Sequence, residues 1–496
     1  MRAKIGAAPV DASRARASYI SAPRVPPAAA PPAPPLLSRR TPMRLARSLT
    51  TTSVVFILFF NVSGGAFTTE ALVAEVGPGL ALLILAVVPL LWSVPEALII
   101  GELASALPEE GGYYRWVYRA FGPAVAFQNA WYTWLYSLVD MAIYPVLFTQ
   151  YLAWFVPTLS PAASWAVKLA VIWGATWLNL RGAYRVGRAS TWAGCFVLGT
   201  FLAIAVAALA HALGPGGAGV HAPWSPFVRS GEAPLAGLGV GLSIAIWNYF
   251  GWDNASTVGG EVRDATRTYP RALAIAVPMV AAGYLIPLGA TLATSDWTRW
   301  REGGWPDIAR MTGGPLGPVL AATVAVAGMV SALALYNALL LAFSRIPLAV
   351  AADGLLPAAL ARTDARGTPR NAVLFAAVCY SVFTVLPFAQ LVVADALLYA
   401  LAMFLEFAAL VALRVREPTL RGAFRIPLGT AGVVLLALLP VAVFLITTGF
   451  SIAGGEYGML AVLGAFTAAA LGPLVYRMRA RQLVGGAPAA AEPGRG

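Results

Sequence analysis

The sequence predicts an all-α polytopic membrane protein with about twelve transmembrane helices. Hydrophobic residues make up 59% of the chain and charged residues only 11%, whereas a soluble domain carries about 25% charged residues. The apolar residues also form runs of roughly 20, the length at which a helix crosses the hydrocarbon core of a bilayer. Because these runs recur along the whole chain, neither a signal peptide nor a single anchor accounts for them.

Each predicted span is one such apolar run, bounded by polar, glycine or proline residues. The spans are 51–75, 79–107, 122–156, 163–180, 187–213, 236–259, 272–294, 315–350, 371–388, 390–415, 427–450 and 456–478. Arginines concentrate in every second connection, starting with the one between spans 2 and 3. By the positive-inside rule this alternation places both termini in the cytoplasm, which requires an even number of spans. The plasma membrane is the expected location.

Net charge and composition exclude several classes of protein. The formal net charge is +12, but the basic residues lie in short connections between spans, so we expect no nucleic-acid partner. Two histidines and two cysteines show no metal-ligand spacing, so no metal site and no cofactor are predicted. Without a nucleophile–base pair or a phosphate-binding loop, we expect no enzyme.

The two ends of the chain differ from the rest. Residues 1–48 are rich in alanine, proline and arginine, which predicts a disordered cytoplasmic tail. An organelle-targeting segment, or synthesis that starts at Met43, would explain the same composition. Residues 479–496 form a second predicted disordered tail.

Two spans contain sequence that a continuous transmembrane helix avoids. Span 1 includes Gly64-Gly65 within the stretch 61–67, and span 6 has Gly251 and Asp253 within 247–256. A glycine costs about 1 kcal/mol relative to alanine inside a helix, and unwound backbone at bilayer depth lines a cavity or packs against protein. Close helix packing is the alternative explanation for the glycine pair.

The two interruptions are about 190 residues apart, and spans 1–5 occupy a length similar to spans 6–10. Corresponding breaks in two halves indicate an inverted-repeat transporter with its binding site at the breaks. The predicted organisation is a first five-helix repeat at 49–213, a second at 236–415, and two peripheral helices at 427–478. Freed amides of Ser63, Gly64 and Gly65 would suit a carboxylate, and carbonyls near the second break would suit a cation.

Carboxylates inside the spans are functional hypotheses, because ionisable groups are costly in a membrane. Asp253 lies at the second break and is predicted to meet a substrate ammonium, with a helix cap as the alternative. Asp140 has Tyr144 one turn on and is a candidate for substrate contact or proton coupling. Glu96 and Glu406 are further proton-coupling candidates, although a structural role is the stronger prediction for Glu96.

Two more acids lie near the ends of spans. Glu102 is predicted to be architectural, and Glu261 is predicted to pair with a loop arginine in an inward gate. No lysine or arginine lies near the middle of a span, so we expect the intramembrane acids to have no basic partner. They must then be protonated, hydrogen-bonded, hydrated, or paired with a cationic substrate or a proton.

Aromatic side chains complete the predicted site. Trp247 and Tyr249 could hold an ammonium against their rings, or simply pack between helices. Tyr336 in span 8 could line the vestibule, or Tyr336-Asn337 could hydrogen-bond between helices.

Several separated motifs are similar to those of one known superfamily, over about residues 50–480. They are Val62–Gly65, Trp92–Ile99, Pro108–Tyr113, Asp140–Phe148, Asp253–Pro270 and Leu405–Ala409. These stretches resemble the amino acid–polyamine–organocation superfamily. Asp140–Phe148 and Leu405–Ala409 are similar to its plant-type polyamine uptake and L-type amino acid transporter branch. The resemblance implies the leucine-transporter fold, with discontinuous helices 1 and 6. Asn61 departs from the acid expected in the polyamine branch.

The resulting prediction is a secondary active transporter that uses alternating access for proton-coupled uptake of cationic amines. A neutral or cationic amino acid permease or exchanger is the alternative, and sodium coupling stays open. Two hypotheses from other classes are a channel and a substrate-sensing membrane receptor. A channel needs a continuous pore with repeated polar positions, and the sequence shows neither. The expected partners are a small-molecule amine or amino acid and the lipid bilayer.

Overall fold

The computed structural model describes residues 45–229, 237–384, 391–453 and 459–485, which are mostly helical. Most of the predicted N-terminal tail and the last eleven residues of the C-terminal one therefore lie outside the described residues. The helices are α1 Thr51–Val62, α2 Thr69–Val76, α3 Pro78–Leu91, α4 Ser93–Ala106, α5 Tyr113–Phe121, α6 Pro123–Leu152, α7 Pro161–Asn179, α8 Ala183–Leu213, α9 Leu238–Trp247, α10 Ala265–Leu292, α11 Trp305–Thr312, α12 Gly317–Phe343, α13 Arg345–Ala352, α14 Arg370–Phe383, α15 Leu391–Arg416, α16 Thr430–Ala453, α17 Met459–Ala470 and α18 Gly472–Gly485.

Six helical segments of the described chain are long and apolar enough to cross a membrane. They are Pro78–Ala106, Ala183–Leu213, Ala265–Leu292, Gly314–Ala352, Asp395–Arg416 and Thr430–Ile452. Shorter apolar helices occupy Thr51–Val62, Leu238–Trp247 and Arg370–Phe383. The predicted layout of twelve spans in two repeats therefore stays a prediction. One reason is that the breaks in spans 1 and 6 divide these spans into helices too short to cross a membrane on their own.

The break predicted in span 1 is present. α1 ends at Val62 and α2 begins at Thr69, and Gly64 and Gly65 have φ angles of 70° and 114°. These left-handed conformations are open to glycine and strained for other residues. A Cβ on Gly65 would also lie 2.7 Å from Cγ1 of Val197 on α8. The glycine pair therefore serves both the turn and the close packing of α8 against it.

Span 6 breaks where predicted, but its second part is not an α-helix. α9 ends at Trp247, and the chain re-forms only two 3₁₀ turns, Asn254–Thr257 and Gly259–Glu261. Backbone carbonyl groups here accept hydrogen bonds from other segments of the chain rather than from residues of the same helix. Gly111 N donates to Thr257 O at 2.8 Å, and Ser48 N donates to Glu261 O at 2.9 Å. The sequence did not predict these 3₁₀ turns, because the partners that hold them lie on distant segments.

The two breaks touch each other. The Asn61 side chain is placed to donate to Ile57 O and to accept from Ala255 N at 3.1 Å. Gly251 has a φ of 102°, and a Cβ built on it would lie 2.5 Å from the Asn61 carbonyl oxygen. Asn61 therefore joins α1 to the second break, at the position where an acid was expected.

Replacing Gly251 by alanine is expected to destabilise the protein by about 2 kcal/mol or more, because the residue would be strained and would press on the Asn61 carbonyl. The measurement is the midpoint of thermal unfolding of the purified protein in detergent. Gly199→Ala is the matched control, because its Cβ meets nothing within 4 Å and it lies inside α8. Equal midpoints for the two variants would contradict the prediction.

The arginine-rich end of the bundle is closed by backbone pairing as well as side chains. Leu49 forms a parallel bridge with Val262, and Glu110 forms an antiparallel bridge with Val258. These contacts join the start of α1, the connection between α4 and α5, and the segment after the second break. Residues 45–49 are thus ordered although the sequence predicted a tail as far as residue 48.

The opposite end is covered by α11, which the sequence did not predict. Trp305 Nε1 donates to the Ala66 carbonyl at 2.7 Å, and Gly303 N donates to Glu70 Oε1 at 2.9 Å. The connection between α10 and α12 therefore rests directly on the first break. At the C-terminal side, α18 runs to Gly485, into the segment predicted as the second tail.

Candidate functional site

Three buried carboxyl groups gather around the hydroxyl of Tyr399. Glu96, Asp253 and Glu406 are each at most 1% exposed. The Tyr399 hydroxyl lies 2.8 Å from Glu96 Oε1 and 3.1 Å from Asp253 Oδ1. Glu406 interacts electrostatically with both other carboxyls. We refer to Glu96, Asp253, Tyr399 and Glu406 as the Tyr399 centre.

The members of this centre come from three parts of the fold, which are α4, the second break and α15. Glu96 lies in the first turn of α4, and Asp253 directly precedes the 3₁₀ turn of the second break. Tyr399 and Glu406 are seven residues apart on α15, a spacing that puts them on one face of the helix. The Asp253 side chain makes no capping hydrogen bond to the 3₁₀ turn, so capping does not account for its position.

The hydroxyl of Tyr399 has one hydrogen and can accept two hydrogen bonds. It accepts the Gly251 amide at 2.8 Å, which leaves one hydrogen and one lone pair for two carboxyls. Both contacts can be hydrogen bonds at once only if one carboxyl is protonated and donates to the hydroxyl. The geometry of the centre therefore matches two carboxyl groups that hold one proton between them.

Aromatic rings enclose the centre, but they are not the pair that the sequence suggested. The rings of Phe250 and Tyr136 lie 4.5 and 5.4 Å from the ring of Tyr399. The Tyr249 hydroxyl instead donates to the Leu85 carbonyl on α3, and Trp247 is half-buried. Tyr136 could have been found from its position one turn before Asp140 on α6.

A second acidic pair lies on α6 and α15, the helices that carry Tyr136 and Tyr399. The Tyr144 hydroxyl donates to Asp140 Oδ1 at 2.6 Å, as their spacing on α6 predicted. Asp395 on α15 interacts electrostatically with Asp140 and Tyr144. Asp395 was not among the predicted site residues, because it lies near the start of its predicted span. We refer to Asp140, Tyr144 and Asp395 as the Asp140 centre.

The expectation that intramembrane acids lack basic partners is wrong for Glu102. Arg414 Nε donates to Glu102 Oε1 at 2.8 Å, and Ile426 N donates to Oε2 at the same distance. Arg414 lies near the end of α15, where its side chain is only 4% exposed. The pairing joins α4, α15 and the segment before α16, which fits the architectural role predicted for Glu102.

Glu261 has an arginine partner, but it is a helical residue rather than a loop one. Arg345, the first residue of α13, donates through Nε to Glu261 Oε1 at 2.9 Å and lies 3.5 Å from Glu110 Oε1. Nearby, Arg115 Nη1 lies 2.6 Å from Asp353 Oδ2. These ion pairs are buried. None of the described arginines or lysines is paired with a carboxyl of the two centres.

The backbone groups of the first break already have partners inside the chain. Ser63 N and Gly64 N donate to the Phe59 carbonyl at 2.8 and 3.1 Å, and Gly65 N donates to Ser63 Oγ at 3.1 Å. Ser331 Oγ donates to the Gly64 carbonyl. The Ala66 carbonyl accepts from Thr69 Oγ1 as well as from Trp305.

Tyr336 lies away from these contacts. Its ring is fully buried, 6.4 Å from that of Tyr380, and its hydroxyl has no hydrogen-bond partner in the described part of the chain. The next residue, Asn337, accepts from Asn179 Nδ2 at 2.8 Å. Asn337 therefore hydrogen-bonds between helices, as one of the two predictions for this pair had it.

One apolar cavity in the described part of the chain is separate from both centres. Its volume is about 510 Å³, and it lies between α6, α7, α8 and α12. Its lining includes Val171, Leu178 and Ala334, and none of the buried carboxyls. Because the carboxyls of the two centres are at most 3% exposed, a solute reaches them only after the surrounding helices move.

The chain is similar to known membrane transport proteins. A model of the amino acid permease family matches residues 49–466. Polyamine transporter PUT1 of Oryza sativa is 36% identical over 416 residues, which cover 82% of this chain and 74% of that protein. Polyamine transporter RMV1 of Arabidopsis thaliana is 34% identical over 409 residues, covering 82% and 81%.

A bacterial relative is more distant. The aromatic amino acid transport protein AroP of Escherichia coli is 26% identical over 285 residues, or 56% of this chain and 60% of that protein. All of these relatives are named as transporters, which agrees with the sequence prediction that the protein is not an enzyme. The buried acidic site therefore lies in a multi-pass membrane transporter of amines or amino acids, and the chain belongs to the amino acid permease family.

Proposed function

We propose that this protein takes up di- and polyamines across a membrane by alternating access and couples that uptake to protons. The observation that carries the proposal is the Tyr399 centre, in which three buried carboxyl groups have no described basic side chain beside them. Uncompensated buried carboxylates are costly, so they need protons or a cation. A substrate ammonium supplies that cation, and the rings of Phe250 and Tyr136 offer it a favourable face.

The first break favours amines over amino acids as substrates. An amino acid would need donors for its carboxylate, and the turn at Ser63, Gly64 and Gly65 is the predicted source. In the present conformation all three amides already donate within the chain. An amine without a carboxylate makes no demand on them. The names of the plant relatives agree with this choice.

The sharing of one hydroxyl by two carboxyls supports proton coupling. If Glu96 keeps the proton and Asp253 binds the ammonium, the loaded pair is neutral and every contact of the Tyr399 hydroxyl is satisfied. Proton and amine then travel in the same direction. Glu406, whose carboxyl oxygens have no hydrogen-bond partner in the described chain, is a second proton-coupling candidate.

Alternating access requires that each end of the bundle can open in turn. The arginine-rich end is held by the ion pairs of Glu261 and Arg345, and the opposite end by α11. We assign the arginine-rich end to the cytoplasm by the positive-inside rule, so Glu261 belongs to an inward gate. The plasma membrane is the proposed location.

The test is uptake of radiolabelled putrescine and spermidine into proteoliposomes, beside arginine, leucine, phenylalanine and glutamate. Vesicles are compared with no pH gradient, with acid outside, and with acid inside. The expected result is saturable polyamine uptake that rises with acid outside and falls with acid inside. Uptake of leucine or phenylalanine with no polyamine signal would instead assign the chain to the amino acid permeases. Polyamine uptake at the same rate under all three pH conditions would contradict proton coupling.

A further inference from the structure

We propose that Asp140 and Asp395 form a second cation subsite, which binds the distal ammonium group of a di- or polyamine whose first ammonium is bound at the Tyr399 centre. This inference rests on the proposed function and specifies the class of substrate. It makes the site selective for solutes that carry two positive charges on one short chain.

The first observation is that Asp395 is buried without hydrogen bonds. Its side chain is fully inaccessible to solvent, and neither of its carboxyl oxygens has a partner in the described part of the chain. Asp140 beside it receives one hydrogen bond, from Tyr144. Two neighbouring carboxyls with one donor between them form an incomplete site. A primary ammonium, with three donors and one positive charge, would complete it.

The second observation is the register of α6 and α15, which sets the position of the Asp140 centre. Asn129 on α6 donates to the Ala402 carbonyl at 3.1 Å, and the ring of Tyr136 packs against that of Tyr399. The partners follow in reverse order, so the helices run antiparallel. One turn further along α6, Asp140 lies opposite Asp395.

This register places the two centres one helical turn apart. Tyr399 follows Asp395 by four residues, which corresponds to about 6 Å of rise along α15. Asp140 follows Tyr136 by the same interval on α6. A short alkyl chain with an ammonium at each end spans such a distance. A monoamine of the same chain length would fill the Tyr399 centre and leave the Asp140 centre without a cation.

The experiment compares two ligands that differ by one amino group, putrescine and butylamine. Each competes with radiolabelled spermidine for the purified protein in lipid nanodiscs. In the wild type, putrescine should displace half of the label at a concentration at least about tenfold below that of butylamine. In Asp395→Asn the two concentrations should lie within about threefold, because putrescine weakens and butylamine does not.

Asp395→Glu keeps the charge and should keep the preference for putrescine. If Asp395→Asn does not purify as a folded protein, Asp140→Asn carries the same expectation. A wild type without preference, or an Asp395→Asn variant that keeps the wild-type ratio or weakens both ligands equally, would overturn the inference. Absence of spermidine binding to the wild type would count against the proposed function instead, so the two failures are distinguishable.

Discussion

Replacing Asp253 by asparagine is expected to lower saturable putrescine and spermidine uptake by at least about thirtyfold. The substitution keeps the size of the side chain and removes the negative charge at the second break. Truncating one partner of a buried charge pair costs about 2–5 kcal/mol, and each 1.4 kcal/mol is tenfold in binding. The measurement is initial uptake into proteoliposomes with acid outside, at several substrate concentrations.

The matched control for this variant is Asp307→Asn. Asp307 pairs with Arg301 on the surface, where its side chain is 42% exposed, so uptake should stay within about twofold of the wild type. Equal amounts of folded protein are confirmed by the thermal midpoint. Unchanged polyamine uptake in Asp253→Asn would show that the ammonium is bound elsewhere, and the acidic-site mechanism would have to be abandoned.

Replacing Arg345 by methionine is expected to destabilise the protein by about 3–5 kcal/mol, because it removes the cation from between two buried carboxylates. Glu261 and Glu110 would remain, with side chains 4% and 2% exposed. The readout is the thermal midpoint in detergent. Arg301→Met is the control, since that arginine belongs to an exposed ion pair worth at most about 1 kcal/mol.

The loss of stability in Arg345→Met should depend on pH. Burial raises the pKa of the Glu110 carboxyl well above its usual value, the nearby Glu261 raises it further, and Arg345 opposes both. Without Arg345 the folded-state pKa rises more. A carboxyl whose pKa is raised on folding stabilises the protein fully below its unfolded pKa, and this contribution is lost as the pH rises through the folded pKa. The gap between variant and wild type should therefore widen from about pH 5 to about pH 8, and a gap that narrows would contradict the ion-pair explanation.

The helix breaks could be predicted from the sequence because their causes are local. Gly64-Gly65 and Gly251 carry a backbone cost in any helix, whatever packs around them. The carboxyls at Glu96, Asp140, Asp253 and Glu406 could be singled out for a similar reason, since a charge inside an apolar run stands out. What each of these residues does is still a prediction.

Partners were harder to predict, because they depend on contacts between distant segments. Arg414 and Glu102 are 312 residues apart in sequence, and each looks like an ordinary residue near the end of a span. Tyr399 is a common residue type in membrane helices, and only its contacts with Glu96 and Asp253 make it central. The one available signal was the spacing of Asp395, Tyr399 and Glu406 on one face of α15.

The carbonyl groups of the first break bear on which ion drives transport. A sodium ion at such a break would be coordinated by freed backbone carbonyls, stripped of most of its water. Here the Gly64 carbonyl accepts from Ser331 and the Ala66 carbonyl from both Thr69 and Trp305. A carbonyl oxygen has two lone pairs, so sodium could coordinate the Ala66 carbonyl only by displacing Thr69 or Trp305, whereas a proton needs only a free carboxyl oxygen. In this conformation the Ala66 carbonyl oxygen already accepts two side-chain hydrogen bonds, and the Gly64 carbonyl oxygen accepts one.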